Sequence, residues 1–148
     1  MTPQEEKQLL LRVVLPLAKV QLENEGFIPF GAALGTKRDV QLLMPKSMKK
    51  DVKREELEAY WNKQFRPIIA GQDCKTVCTC ADVGLSGDQG GLVWGVLIHI
   101  EQADSDAEDI FTPYTRDQNS KVTFGPETRE TANRFVFISQ SQHSGEAT

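Results

Sequence analysis

Apolar residues recur along this chain in two rhythms, and the switch between them marks out its elements. Leu10, Val13, Val14, Leu17 and Val20 follow helical spacing. Thr2 is placed to cap that helix, with Pro3 at its first position and Glu5 set to complete a capping box. Pro16 removes the backbone bond to Arg12 and predicts a kink or break. Asn24, Glu25 and Gly26 end the helix, because glycine takes up a left-handed cap without a steric penalty.

A hairpin follows. Phe27 to Leu34 and Val40 to Met44 are apolar runs on either side of the polar loop Gly35 to Asp39. Pro29 cannot donate to a ladder, so it belongs at a strand start or on an unpaired edge. Beyond the polar stretch Lys46 to Lys50, Ser47 or Asp51 is placed to cap a second helix. Its apolar stripe is Val52, Leu57, Tyr60, Trp61, Phe65 and Ile68, and Gly71 supplies the stop. Lys53, Arg54, Glu55, Glu56 and Lys63 form its solvated face.

From Lys75 the period becomes two. The pattern predicts a strand over Thr76 to Leu85, a flexible loop from Ser86 to Gly91, and a long strand over Leu92 to Gln102. Leu92, Trp94, Val96, Ile98 and Ile100 share one face of that last strand. Ala103 to Glu108 reads as an acidic turn and Asp109 to Thr115 as a returning strand. Val122 to Phe124 and Arg134 to Ile138 add short strands around the polar segment Gly125 to Asn133. Ser139 to Thr148 has little to bury and is expected to be a disordered tail after a single domain spanning 1–138. The order helix, hairpin, helix, strand meander predicts an α+β fold of two layers. About five mostly antiparallel strands would carry both helices on the packed face. Profilin-like and roadblock-like modules use a similar order of elements, a likeness of topology that carries no function.

Composition narrows the function classes. With 148 residues, 39% hydrophobic and 26% charged, the chain is an ordinary globular one. A net charge of −4 and a pI near 5.2 argue against a nucleic-acid partner, which needs a basic face. No window approaches the roughly 20 apolar residues of a membrane helix. The start, Met1 to Glu6, lacks the basic and small-residue signals of a secretory leader. Three cysteines, an odd number, suit reduced thiols in the cytoplasm.

Gly26-Phe27, Pro29-Phe30-Gly31-Ala32, Cys80-Ala81-Asp82-Val83, Ile98-His99-Ile100-Glu101 and Pro113-Tyr114 carry a resemblance. In their spacing the chain, from about Leu9 to Ile138, resembles an uncharacterised family of small bacterial cytoplasmic proteins with no assigned activity. The resemblance implies a bacterial, cytoplasmic, single-domain protein and supplies no catalytic residue to carry over.

Four constellations invite chemistry. Cys74, Cys78 and Cys80 lie close in sequence to one another, and His99 falls on a strand that pairing can bring beside them. Cys and His hold structural zinc, but this spacing is not that of a zinc module, and small buried cysteines are common in cores. The sharpest enzymatic reading pairs His99 as base with Cys78 or Cys80 as thiolate and Asp82 as orienter. A thiol in mid-strand beside valines has its pKa raised, which opposes that role. His143 belongs to the expected tail.

The acidic turn Asp104 to Asp109 lacks the glycine and distal glutamate of a calcium loop and reads as a solubilising turn. Gly87-Asp88-Gln89-Gly90-Gly91 joins two strands, so it lacks the helix N-terminus that cradles phosphate. No cofactor or metal is expected. Trp94, Phe111 and Tyr114 are candidate partner contacts on any sheet face the helices leave bare, although the pattern around Trp94 also suits core packing. The leading expectation is a non-catalytic protein-interaction module, immunity-protein-like and homodimeric through strand pairing. The alternative is a small enzyme or a metal or redox sensor built on the Cys/His cluster. A small apolar ligand between helix and sheet is left open.

Overall fold

The computed structural model describes residues 1–24, 26–45, 53–72, 74–87 and 90–137. The caps proposed at Ser47 and Asp51, the loop residues Asp88 and Gln89, and the tail with His143 lie outside these residues.

Helix α1, Pro3–Glu23, begins as its sequence dictates. The Thr2 hydroxyl accepts from the Glu5 amide and the Glu5 carboxylate accepts from the Thr2 amide, both at 3.1 Å. The helix runs on through Pro16, and the Asn24 amide closes it on the Gln21 carbonyl. Strands β1, Phe30–Leu34, and β2, Val40–Leu43, pair antiparallel around the Gly35–Asp39 loop. Pro29 stands immediately before β1, as its missing N–H requires. Helix α2 spans Arg54–Gln72 and includes both Pro67 and Gly71.

Strands β3, Thr76–Ser86, and β4, Leu92–Gln102, form a long hairpin, and β5, Ala107–Arg116, returns alongside β4. Two short strands both pair with β5: β6, Val122–Phe124, with its second half and β7, Thr128–Ala132, with its first. Among the described residues the sheet therefore has seven strands, all antiparallel, in the order β2-β1-β3-β4-β5-β6 with β7 beside β5. The expectation of about five strands is corrected. So is the strand expected at Arg134 to Ile138. Residues 133–137 form no strand, and β7 lies in the segment read as a polar loop.

The helices do not share a face. Leu10, Val14, Ala18 and Leu22 of α1 pack with Phe30, Ala32, Cys78, Cys80, Val96, Ile98 and Ile110. Trp61 and Phe65 of α2 pack with Ala33, Val77, Cys74 and Val136. Side chains alternate along a strand, so Ala32 and Ala33, or Val77 and Cys78, point to opposite sides. The two-layer arrangement is thus corrected to a sheet with one helix on each face. Gly31 explains how α2 comes so close to β1: a Cβ there would sit 2.9 Å from Phe65 and 3.0 Å from Trp61.

Both ends of α1 are tied to strands. The Gln102 amide group donates to the Pro3 carbonyl at 2.8 Å, and the Thr76 hydroxyl donates to Glu6 at 3.1 Å. At the other end Arg116 donates to the Leu22 carbonyl, satisfying a helix-terminal acceptor. No helix among the described residues is long and apolar enough to cross a membrane.

Candidate functional site

Two places on the sheet carry unusual chemistry. The first centres on His99, in the middle of β4 on the α2 side. The register sets Asp109 of β5 directly opposite it, and Glu101 follows two positions on along the same face. The imidazole Nδ1 lies 2.7 Å from Asp109 Oδ1 and its Nε2 lies 2.7 Å from Glu101 Oε2. A carboxylate can only accept, so both ring nitrogens donate and the ring is an imidazolium. Burial by itself would push this group toward the neutral form. The hydrogen bonds to Asp109 and Glu101, with their charges, outweigh it and raise the pKa to about 9.

Glu101 is fully buried yet ionised. Burial opposes its charge, but the His99 bond and the backbone N–H groups that converge on it outweigh the penalty and hold its carboxyl below the ordinary range. The amides of Phe135, Val136 and Phe137 all donate to it at 2.7–3.1 Å. Phe135 in turn stacks on the imidazole with ring centres 4.4 Å apart. The triad thus clamps the segment after β7 onto the sheet. Held this way, His99 has no lone pair to offer as a base at neutral pH.

The cysteines lie elsewhere. Cys78 stands opposite Ile100 and Cys80 opposite Ile98, in the core under α1, whereas His99 faces the α2 side opposite Thr79. The structure does not bring His99 together with either thiol. Burial pushes Cys78 up to about 12 and Cys80 well above its ordinary value. Asp82 accepts from the Tyr114 hydroxyl at 2.8 Å, and burial followed by that bond raises the tyrosine to about 12. Among the described residues no three His, Cys, Asp or Glu side chains are placed to share a metal ion.

The second place is the far half of the β3–β4 hairpin. Pairing between these two strands runs without interruption from Thr76↔Gln102 to Ser86↔Leu92. On one side β1 pairs only with Thr76 to Cys80, and on the other β5 pairs only with Gly95 to Ile100. No described strand therefore covers the edge of Ala81 to Ser86 or the edge of Leu92 to Trp94. Prolines mark both departures. Pro29 precedes β1, and Pro113 sits opposite Gly95, where neither can donate an N–H to continue the ladder.

The resulting arm is apolar on both faces, with Leu85 47%, Leu92 62%, Val93 42% and Trp94 48% exposed. Leu85 and Val93 are cross-strand partners on one face, and Trp94 lies opposite Gly84 with its ring over that glycine. A groove of about 500 Å³ runs between Leu92, Trp94 and Asp82 on the arm and Tyr114 and Arg116 on β5.

Of the three aromatics expected at a partner surface, only Trp94 is exposed. Phe111 is half-buried, and Tyr114 is buried in the α1 core. Sequence reasoning passed over Leu85, Leu92 and Val93. Their signal was two short apolar runs, Val83 to Leu85 and Leu92 to Trp94, on either side of a glycine-rich loop with no charged residue inside either run. No protein-family model, curated protein or solved structure matches this chain.

Proposed function

We propose that this protein is a non-catalytic protein-interaction module whose contact surface is the arm formed by Ala81–Ser86 and Leu92–Trp94. The observation that carries this reading is the arm itself, four exposed apolar side chains on two strands whose outer edges no described strand pairs. Natural sheets protect such edges with lysine, proline, bulges or a covering element. Between Ala81 and Ser86 there is neither Lys nor Pro, and the single charge, Asp82, is bonded to Tyr114.

The occupant this favours first is a second copy of the chain. An antiparallel strand edge can pair with itself about a two-fold axis, which gives a closed dimer and buries Leu85 and Trp94 in the same event. The acidic balance suits a role like that of immunity proteins, which neutralise toxins, and accords with a cytoplasmic location. The lack of convergence between Cys78 or Cys80 and His99 weighs against the enzyme or sensor alternative.

Native mass spectrometry of protein purified without chelator tests the proposal. The wild type is expected as a metal-free dimer. The double substitution Leu85→Lys with Trp94→Lys, at exposed positions, is expected to give a monomer with an unchanged circular dichroism spectrum. A monomeric wild type, or a double variant that remains dimeric, overturns self-pairing through the arm. A zinc-sized adduct lost on replacing Cys78 or His99 overturns the module reading in favour of the Cys/His alternative.

A further inference from the structure

The cleft between α2 and the sheet adjoins the arm and shares Ala81, Val83 and Leu85 with its α2-side face. Its volume is about 380 Å³, within the range of small-molecule sites. Leu57 and Trp61 of α2, Ala81, Val83 and Leu97 of the sheet, and Phe135 form its walls. It exists because α2 rests on β1 through Trp61 and Phe65 at Gly31, so that among the described residues no helix lies over the same face of the far half of β3 and β4.

Polar groups meet at one end only. His99 and Asp109 belong to the lining, and both ring nitrogens of His99 are taken by carboxylates, so the ring presents its face and not a donor. Asp109 uses Oδ1 on the imidazole, and among the described residues its Oδ2 is ion-paired with Arg54 at 3.9 Å, beyond hydrogen-bond length. Thr79 reaches the cleft from the position opposite His99. The charges on the lining, Arg54 and His99 against Glu58 and Asp109, cancel. The floor is also preorganised, since the clamp that fixes His99 fixes Phe135 beside it.

We infer that this cleft binds an uncharged aromatic molecule of one or two fused rings carrying a single hydroxyl or N–H donor. The rings would lie between Trp61, Leu97 and Phe135, and the donor would bond to Asp109 Oδ2, beside Arg54, or to the Thr79 hydroxyl. A charged ligand is disfavoured because the lining has no net charge to offset it and the walls are apolar. A ligand without a donor would desolvate Asp109 Oδ2 and leave it no hydrogen bond, only the 3.9 Å ion pair with Arg54.

Amide-resolved NMR titration of the full chain with 2-naphthol, and with naphthalene as the donor-free control, tests the inference. Saturable shifts confined to Leu57, Trp61, Val83, Leu97 and Phe135 are expected, with 2-naphthol bound about tenfold more tightly, the worth of one hydrogen bond. Ala81→Trp and, independently, Val83→Trp fill the cleft and are expected to abolish these shifts while the amide spectrum of the α1 face is retained. Equal binding of the two probes, shifts centred on Leu92 and Trp94 outside the cleft, or undiminished binding by a folded cleft-filled variant overturns it. Nuclear Overhauser contacts from residues 46–52 or 138–148 to Val83 or Leu97 in the free protein would also overturn it, by making the chain its own occupant.

Discussion

At the scale of single residues, His99 and Glu101 set a pH dependence whose sign is fixed by their environments. His99 holds its proton more tightly in the folded chain, at about 9 against an ordinary 6.5. Its contribution is therefore complete below about 6.5 and is lost as pH rises through about 9. Glu101 is held below its ordinary 4.5, so its contribution is present above that value and lost as pH falls. Stability from this cluster is greatest between these ranges. Urea unfolding is expected to show a loss of roughly 2–3 kcal/mol between pH 6.5 and 9, and His99→Gln should flatten that slope. A slope untouched by the substitution assigns the dependence to other groups.

The thiols make the opposite kind of prediction. Cys74, Cys78 and Cys80 are all buried, and burial raises all three. A disulfide reagent at neutral pH is expected to leave the folded protein unlabelled and to modify all three after denaturation, while rapid labelling of the native chain would show an accessible thiolate. The sequence offered His99 as a neighbour of Cys78 and Cys80 because the strands could indeed be adjacent. Which face it took depended on register, and a slip of one residue reverses every side chain. Asp109 and Glu101 escaped notice for the same reason. One looked like the end of an acidic turn and the other like a strand terminus, and only pairing shows that both bracket an imidazole.

Elements were legible to the degree that their signals were local. Thr2, Pro3 and Glu5 announce the start of α1 through bonds within one turn, and the apolar alternation of β4 places that strand from Leu92 to Gln102. β7 was missed because its residues, Thr128 to Ala132, are polar and mostly exposed, so no burial pattern marks them. Phe135 and Phe137 imitate a strand by alternation, but their N–H groups go to a carboxylate instead of a ladder. Close strand packing gives a test at this scale. A Cβ on Gly95 would run into the Phe111 ring and lie 2.9 Å from the Thr112 carbonyl. The ring can yield but the backbone cannot, so Gly95→Ala is expected to cost about 1–3 kcal/mol in chemical denaturation. A neutral effect would mean that β4 and β5 separate freely at Pro113.

Across the whole molecule, the fold class could be read from the order of elements, but the layering could not. Both helices have one apolar stripe, and nothing in either stripe says which side of a sheet it will cover. The decision rests on strands buried on both sides, such as β1, where all five residues are buried. The asymmetry that follows separates roles in space: α1 seals one face, α2 leaves a cleft on the other, and the paired strands outrun both.

The Glu101 clamp also bears on the order in which the chain can fold during synthesis. α1, β1 and the β3–β4–β5 meander are all complete in sequence by Arg116. Glu101 is already at the centre of that sheet, yet three of the groups that neutralise it belong to residues 135–137. Until those residues leave the ribosome, closing α2 over the sheet would trap a carboxylate with only an imidazolium for company. The α1 core draws on none of residues 135–137, whereas the α2 face is satisfied only once the chain has reached Phe137.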